Sequence, residues 1–367
     1  MLLNEGDELN RTYTVERFLG AGAFAEVYRV KHFVLGRLAM KVFKLLGTME
    51  ETLFALREPI LLSKIPHRNV SRVFDANIIE TAEGTRGFFT MEYVAGGSLQ
   101  DFWRGYGDNF VPLDVTIDIV KQVCEGLDVA HRDDPPIVHR DIKPQNILVG
   151  YDARGLRACV SDFGLAKQVN PLMLRLSARG TLCFKAPETF VDPMSDSCAG
   201  DVWAVGVTLY LLLTDRFPFE PPEGDCKNLD YKCFQRPLIP PSRLNIQVDS
   251  ALDQILYRAL AVKKEDRYQT AKELLDDLNR WQPRPITNAG ETKENVSSEN
   301  SKSILGGATP ADQAKAREMV AQAIQLARQR SKLPEAADLM EQALNKWPAL
   351  REEYEQQLQL WRRGVIF

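Results

Sequence analysis

The sequence has few cysteines, no long apolar run and no excess of charge of one sign. Its six cysteines lie far apart and none has the C-x-x-C spacing of a zinc or redox site, so we expect reduced thiols in the cytoplasm. The longest apolar stretch, Val205 to Leu213, has about half the length that a membrane-spanning helix needs. With 46 basic and 50 acidic residues the net charge is -4, so we expect neither a nucleic acid nor a membrane as a partner.

The length of 367 residues and the hydrophobic content of 44% predict two or three folded units. From Asn288 to Gly307 the chain is polar and poor in large apolar residues, a composition typical of a linker. We therefore predict a folded region up to residue 285, a flexible linker at 286–308 and a helical segment at 309–367.

The most informative pattern is the run H-R-D-I-K-P-Q-N at 139–146, which is followed by D-F-G at 162–164. Phosphoryl transfer needs a carboxylate that receives a hydroxyl proton and further oxygen ligands that hold Mg²⁺ against the phosphate. Taken singly, each of these residues would be an ordinary loop residue. As an ordered set they resemble the motifs of eukaryotic-type protein kinases, and the resemblance spans roughly residues 12–285.

This resemblance implies an α+β, bilobal protein kinase fold, with a small β-rich lobe at 1–95 and a larger helical lobe at 96–285. The segment at 309–367 would add an all-α helical part. The implied substrates are ATP and a protein, and the implied metal is Mg²⁺, with Mn²⁺ as an alternative.

Four residues of the two motifs receive roles from the resemblance. Asp141 corresponds to the catalytic base, and Asn146 and Asp162 correspond to the metal ligands. Lys143, two residues after the base, is typical of Ser/Thr-specific members. Its positive charge would lie beside the γ-phosphate, where negative charge moves during transfer.

Lys41 lies in L-A-M-K-V-F, which matches the V-A-I-K strand of these kinases, so it is expected to pair with the α- and β-phosphates. The resemblance assigns Glu58, in the helical stretch that follows, as the carboxylate partner of this lysine. Pro59 disturbs that stretch, because proline lacks a backbone N–H and crowds the preceding turn. We hypothesise that Glu58 can move away from Lys41, which would make the helix position a regulated step.

A hairpin with the glycine-rich tip G-A-G at 20–22 begins the region of resemblance. Glycine lets the backbone approach phosphate oxygens and point N–H groups at them. Ala25 stands where these kinases usually have a third glycine. The resemblance implies that Glu92 and Val94 offer backbone groups to adenine and that Met91 lies behind it. The full set of expected ATP-binding residues is Leu19, Gly20, Ala21, Gly22, Phe24, Val27, Ala39, Lys41, Met91, Glu92, Val94, Ser98 and Leu148.

Residues 162–188 are similar to an activation segment and end in A-P-E. In the family, the threonine at the position of Thr181 bridges the catalytic Asp and Lys. Arg140, directly before Asp141, often receives a phosphate on this segment. Ser177 is the candidate regulatory phosphosite, with a merely solvated serine as the equal alternative.

Two further contacts are implied within the large lobe. Glu188 is expected to pair with Arg267 as a buried ion pair. Asp201 is expected to cap the backbone of the catalytic loop.

The region 310–363 recovers helical periodicity, and Pro310, Pro334 and Pro348 mark three predicted helix starts. Two predicted apolar faces consist of Met319, Ala323, Ile324 and Ala327, and of Ala336, Met340, Ala343 and Leu344. The run E-A-A-D-L-M-E-Q-A-L-N-K-W-P resembles the second helix of a tetratricopeptide repeat. Such a segment could bind a partner protein or self-associate, and the alternative is a plain helical hairpin.

The resemblance favours an active, bacterial-type Ser/Thr protein kinase that also phosphorylates itself. A pseudokinase scaffold that binds nucleotide and partner proteins is the first alternative, supported by Ala25 and Pro59. A kinase for a small molecule or lipid is the second, and the complete A-P-E segment argues against it.

Overall fold

The computed structural model describes residues 1–22, 25–44, 66–107, 110–163, 182–219, 230–282, 310–327, 332–347 and 350–362. These residues fall into two compact units, Met1–Ile286 and Thr287–Phe367. No helix in the described ranges is both long enough and apolar enough to cross a membrane.

The first unit begins with an antiparallel sheet of six strands in the order β1-β2-β3-β4-β6-β5. The strands are β1 (Glu8–Leu9), β2 (Tyr13–Ala21), β3 (Ala25–His32), β4 (Gly36–Phe43), β5 (Val73–Thr81) and β6 (Gly84–Glu92). The hairpin of β2 and β3 carries the glycine-rich sequence at its tip, as the alternating pattern predicts.

Strand β4 shows how side-chain alternation orients the sheet. Leu38, Met40 and Val42 point to one face, where they join the core beneath the N-terminal segment. Ala39 and Phe43 point to the opposite face and join the core that continues into the large lobe. Lys41 has the parity of Ala39 and Phe43, so its side chain lies on the face that looks toward the large lobe.

The large lobe consists of helices around one almost entirely buried helix, together with a two-stranded sheet. The helices are α1 (Leu99–Arg104), α2 (Leu113–His131), α3 (Glu188–Val191), α4 (Cys198–Thr214), α5 (Ser250–Ala259) and α6 (Ala271–Arg280). The two-stranded sheet pairs β7 (Ile147–Asp152) with β8 (Gly155–Val160). In α4 every residue from Asp201 to Thr214 is buried, which explains why this helix is apolar all round.

The expected ion pair between Glu188 and Arg267 is present. Both terminal nitrogens of the Arg267 guanidinium donate to the carboxylate, at 3.0 and 3.1 Å, and one also donates to the Ala199 carbonyl at 2.9 Å. The guanidinium lies 4.9 Å from the ring centroid of Trp203. This buried, bidentate pair ties the A-P-E sequence to α4.

The cysteines partly correct the expectation of reduced thiols. Cys124, Cys159, Cys198 and Cys233 are free, whereas Cys183 is disulfide-bonded. Spacing rules detect only pairs that lie close together in the sequence, and Cys183 has no such neighbour.

The second unit contains three helices, α7 (Pro310–Ala327), α8 (Leu333–Lys346) and α9 (Arg351–Arg362). Helix α8 packs against both others. The two predicted apolar faces meet in the core of this unit, where Ala323, Ala327, Met340 and Leu344 are buried. The guanidinium of Arg317 lies 5.1 Å from the Trp347 ring centroid.

Two glycines inside helices allow a matched test of packing. A Cβ built on Gly126 in α2 would lie 2.4 Å from the Asn69 carbonyl oxygen, whereas one on Gly200 in α4 would meet only the Ser197 hydroxyl, at 3.6 Å. We expect Gly126→Ala to lower the free energy of unfolding by about 1–3 kcal/mol, because rigid backbone must move. Gly200→Ala should leave it unchanged or raise it by up to about 1 kcal/mol, the helix preference for Ala over Gly.

Chemical denaturation of the three proteins measures both effects. Equal stabilisation by the two substitutions would show that Asn69 does not pack against α2 in this way.

Candidate active site

The loop between α2 and β7 brings three polar side chains together. Lys143 Nζ donates to Asp141 Oδ2 at 2.8 Å, and Asn146 Nδ2 donates to the same oxygen at 2.9 Å. Asn146 Nδ2 also donates to the Asp141 carbonyl at 2.8 Å. One carboxylate oxygen of Asp141 is therefore fixed by two donors, and its orientation is set within the loop itself.

Asp162 lies two residues after the end of β8, and its neighbours Ser161 and Phe163 contact this loop. The Ser161 N–H donates to the Asn146 carbonyl at 2.8 Å, and the Ser161 hydroxyl donates to it at 3.0 Å. Phe163, which is buried, packs its ring 4.4 Å from that of His139. These contacts place Asn146 and Asp162 side by side at the ends of β7 and β8.

A contact between the two lobes adds Lys41 to these polar residues. Lys41 Nζ, from β4, lies 2.8 Å from Asp162 Oδ1, and both side chains are largely buried. Asp162 has a φ of 61°, a left-handed conformation that is uncommon outside glycine. The structure thus brings Lys41, Asp141, Lys143, Asn146 and Asp162 together at one cleft.

The loop that carries Asp141 is held by Asp201 in α4. Asp201 Oδ2 accepts the His139 N–H at 2.7 Å, and Oδ1 accepts the Arg140 N–H at 2.8 Å. Arg140 has a left-handed φ of 69°. A non-glycine residue in this region costs about 1–3 kcal/mol and persists where its surroundings hold it, and the two hydrogen bonds from Asp201 do so.

The pKa values of two buried histidines beside Asp201 are shifted in opposite directions. Burial lowers the pKa of His139, whose Nδ1 accepts the Asp141 N–H and whose Nε2 lies 2.9 Å from the Ser161 carbonyl, so the ring is neutral with its proton on Nε2. For His131, burial alone would lower the pKa, but the hydrogen bond with Asp201 at 3.1 Å, the bond with Cys198 and the charge attraction of both together outweigh it and raise the pKa to about 9.

One contact of His131 favours the neutral ring. The Ala271 N–H points at Nδ1 at 3.3 Å, a long bond that only an unprotonated nitrogen could accept. The Asp201 carboxylate is a full charge and fully buried, so its attraction is the stronger of the two. Burial raises the pKa of Asp201, but the bonds from His131 and the His139 N–H more than offset this and lower it.

Several of the expected adenine-binding residues lie on neighbouring strands of the two sheets. Ala39 and Met91 are paired across β4 and β6, and Val27 is paired with Lys41 across β3 and β4. Leu148 in β7 forms an isolated bridge with Ser98, directly before α1. Val27, Ala39, Met91 and Leu148 are apolar, as the residues around a flat heteroaromatic ring usually are.

The glycine-rich tip is fixed by two hydrogen bonds. The Gly22 N–H donates to the Ala25 carbonyl at 2.8 Å, and Lys44 Nζ donates to the Gly22 carbonyl at 2.8 Å. Leu19, Gly20 and Ala21 lie directly before Gly22, in β2.

Comparison with known proteins decides the family. Residues 13–279 match the protein kinase domain. The chain belongs to the protein kinase family.

Its kinase region is similar to bacterial Ser/Thr kinases. A probable serine/threonine-protein kinase of Clostridium acetobutylicum is 32% identical over 279 residues, which cover 75% of this chain and 40% of that protein. Serine/threonine-protein kinase Pkn1 of Myxococcus xanthus is 35% identical over 266 residues, which cover 70% of this chain and 36% of that protein. The chain thus spans about two fifths of the length of these relatives.

A solved structure shows the same fold. The kinase domain of PknI from Mycobacterium tuberculosis aligns with a TM-score of 0.56 at 26% identity, and the match covers 76% of this chain and 98% of that chain.

Some of the predicted kinase residues lie outside the described ranges. They are Phe24, Glu58, Thr181 and Ser177. Pro59 and the predicted linker at 286–308 also lie outside them. Arg140, the expected phosphate receptor for Ser177, forms an ion pair with Asp196, whose carboxylate is 3.4 Å away.

Sequence reasoning missed two arrangements around the kinase cleft. The Ser98 hydroxyl and the Asp101 carboxylate form a capping box at the start of α1, a pattern that S-x-x-D could have revealed. The Glu92 carboxylate is held by Arg157 of β8, for which the sequence carries no signal, because a charged residue in a short strand usually faces solvent.

The His131–Asp201 pair predicts a specific pH dependence of stability. The pKa of His131 is raised from 6.5 to about 9, so the stability it contributes is complete below about 6.5 and is lost as the pH rises through about 9. We expect the free energy of unfolding to fall by roughly 3 kcal/mol across this window, and His131→Gln to remove most of that fall.

Urea denaturation of both proteins between pH 6 and pH 9.5 provides the measurement. An identical alkaline slope in wild type and His131→Gln would mean that the ring is neutral and accepts the Ala271 N–H.

Proposed function

We propose that this protein is an ATP-dependent serine/threonine kinase that transfers the γ-phosphate of ATP to protein hydroxyls, including its own. The observation that carries the proposal is the convergence of Asp141, Lys143 and Asn146 with the Lys41–Asp162 pair at one cleft. Its curated relatives are named serine/threonine-protein kinases, which supports the same reaction.

Asp141 is the proposed base for the acceptor hydroxyl. Its Oδ2 is occupied by Lys143 and Asn146, so Oδ1 is the oxygen assigned to the incoming hydroxyl. The fixed carboxylate orients that hydroxyl and receives its proton as the phosphate leaves ATP. Lys143, 2.8 Å from Asp141, places its positive charge where the charge of the transferred group develops.

The metal ligands proposed are Asn146 and Asp162. Asn146 donates both of its described bonds through Nδ2, which leaves Oδ1 as the atom for a cation, and Asp162 supplies carboxylate oxygens beside it. Such oxygen donors suit Mg²⁺ or Mn²⁺. A bound Mg²⁺ would neutralise phosphate charge during transfer.

Lys41 and the glycine-rich tip are proposed to hold the triphosphate. The 2.8 Å contact of Lys41 with Asp162 joins β4 to the end of β8, which is the gap that the α- and β-phosphates would enter. The N–H groups of residues 20–22 would cover them from above. Val27, Ala39, Met91 and Leu148 would enclose adenine, and Glu92 and Val94 would offer it backbone groups.

A protein is the proposed phosphate acceptor, and the second unit is proposed to bind a partner or another copy of the chain. Its three packed helices, with the E-A-A-D-L-M-E-Q-A-L run in α8, support a tetratricopeptide-like unit. We assign the small lobe to 1–95, the large lobe to 96–285 and the helical segment to 309–367, in a cytoplasmic protein.

Phosphate transfer from γ-labelled ATP tests the activity. We expect Asp141→Asn to lower kcat by about 10²–10⁴-fold, because the base is lost while the shape is kept. Asp276→Asn is the matched control, since Asp276 is a surface carboxylate in α6 that pairs with Lys272. Its activity should stay within about twofold of wild type, because exposed pairs contribute little.

Equal labelling by wild type and Asp141→Asn would remove the enzymatic proposal. Nucleotide binding without transfer in both proteins would favour a scaffold instead.

A further inference from the structure

The segment that joins the lobes, Glu92 to Gly97, is held by arginines from opposite sides. We call this segment the hinge. Glu92 ends β6 and is bound by Arg157 of the large lobe. The next residue, Tyr93, is contacted by Arg29 of the small lobe.

The contact from the large lobe uses the whole guanidinium of Arg157. Nη2 donates to Glu92 Oε2 at 2.9 Å, and Nη1 donates to the other carboxylate oxygen. Nε donates to the Arg68 carbonyl at 2.7 Å. The Arg157 side chain is 16% exposed, so this fork-to-fork pair is largely shielded from water and geometrically specific.

The contact from the small lobe has a less specific geometry, and its arginine belongs to the six-stranded sheet. The guanidinium carbon of Arg29, in β3, lies 5.7 Å from the Tyr93 ring centroid, within the range of a cation–π interaction. Arg29 Nε also lies 2.5 Å from Glu16 Oε2 in β2. Arg29 therefore links the hinge to the strands that carry the glycine-rich tip.

The hinge backbone is also closely packed. A Cβ on Gly96 would lie 2.2 Å from the Val149 carbonyl oxygen, so the chain rests directly on β7. The Glu92 N–H donates to the Arg72 carbonyl at 2.9 Å, and the Val94 carbonyl accepts the Gly97 N–H at 3.3 Å. Moving Glu92 would therefore displace the backbone on which adenine is proposed to bind.

We propose that Arg157 is a positioning residue for ATP: it holds Glu92 on the large lobe and so keeps the hinge backbone in the arrangement that receives adenine. This inference rests on the proposed kinase function. A preorganised site binds more tightly, because the free energy of ordering it is not taken from the binding energy. Arg157 itself does not touch the nucleotide in this proposal.

A purely structural role for the pair would have a different signature. If Arg157 only stabilised the fold, its loss would reduce the amount of folded enzyme and leave the KM for ATP unchanged. If it positions the hinge, the KM for ATP rises while kcat changes little, because the catalytic loop is held separately by Asp201.

The test uses the full chain with Arg157→Gln, Arg157→Lys and the control Arg258→Gln. Arg258 also pairs with carboxylates, Glu273 and Asp277, but on α5 and α6 away from the hinge. We expect Arg157→Gln to raise the KM for ATP by about 5–10-fold with kcat within about twofold, and Arg157→Lys to give a smaller rise. Arg258→Gln should leave both parameters unchanged.

A double-mutant cycle with Glu92→Gln shows whether the effect runs through this contact. The double variant Glu92→Gln with Arg157→Gln should raise the KM for ATP no further than the larger single effect. Additive effects, or an unchanged KM in Arg157→Gln, would overturn the inference. If Arg157→Gln does not fold, Arg157→Lys and Glu92→Gln decide by the same criteria.

Calorimetric titration with a non-hydrolysable ATP analogue gives a readout that is independent of phosphate transfer. A wild type that neither binds the analogue nor transfers phosphate would refute the proposed function itself. A wild type that does both, beside Arg157 variants with wild-type affinity, would refute only the role of Arg157.

Discussion

The buried carboxylate of Asp201 is the interaction on which the cleft depends. Burying this full charge is unfavourable unless the carboxylate oxygens accept hydrogen bonds. Two backbone N–H groups and His131 satisfy them, and these two N–H groups belong to the residues directly before Asp141. The left-handed backbone of Arg140 and the position of the Asp141 carboxylate thus follow from one side chain in the most buried helix of the lobe.

The second requirement is that the two lobes meet at a defined place, and Ala39 and Phe43 of β4 contribute to an apolar core that both lobes share. Strand alternation in β4 sends Lys41 toward the large lobe, and the end of β8 presents Asp162 to it. On the opposite side of the cleft, the hinge is fixed by Arg157 and by the close approach of Gly96 to β7. The cleft is therefore bounded by polar contacts that cross between the lobes, in addition to the apolar core that the lobes share.

Much of this arrangement could be predicted from the sequence, because ordered motifs carry local information. The strand pattern around Lys41, the Glu188–Arg267 pair and the cap by Asp201 are all present in the structure. The Glu92–Arg157 pair could not be predicted, since it joins two residues far apart in sequence with no motif around either. The disulfide at Cys183 was missed for the same reason, as the spacing of cysteines along the chain says nothing about distant pairs.

The pairing of Arg140 with Asp196 changes what a phosphate on the activation segment could gain. The arginine already has a carboxylate 3.4 Å away, in a partly buried setting. A phosphate that bound Arg140 would replace the Asp196 carboxylate. The interaction energy gained would therefore be the difference between the attraction of Arg140 for a dianion and its attraction for a carboxylate, which is less than the full attraction for the dianion.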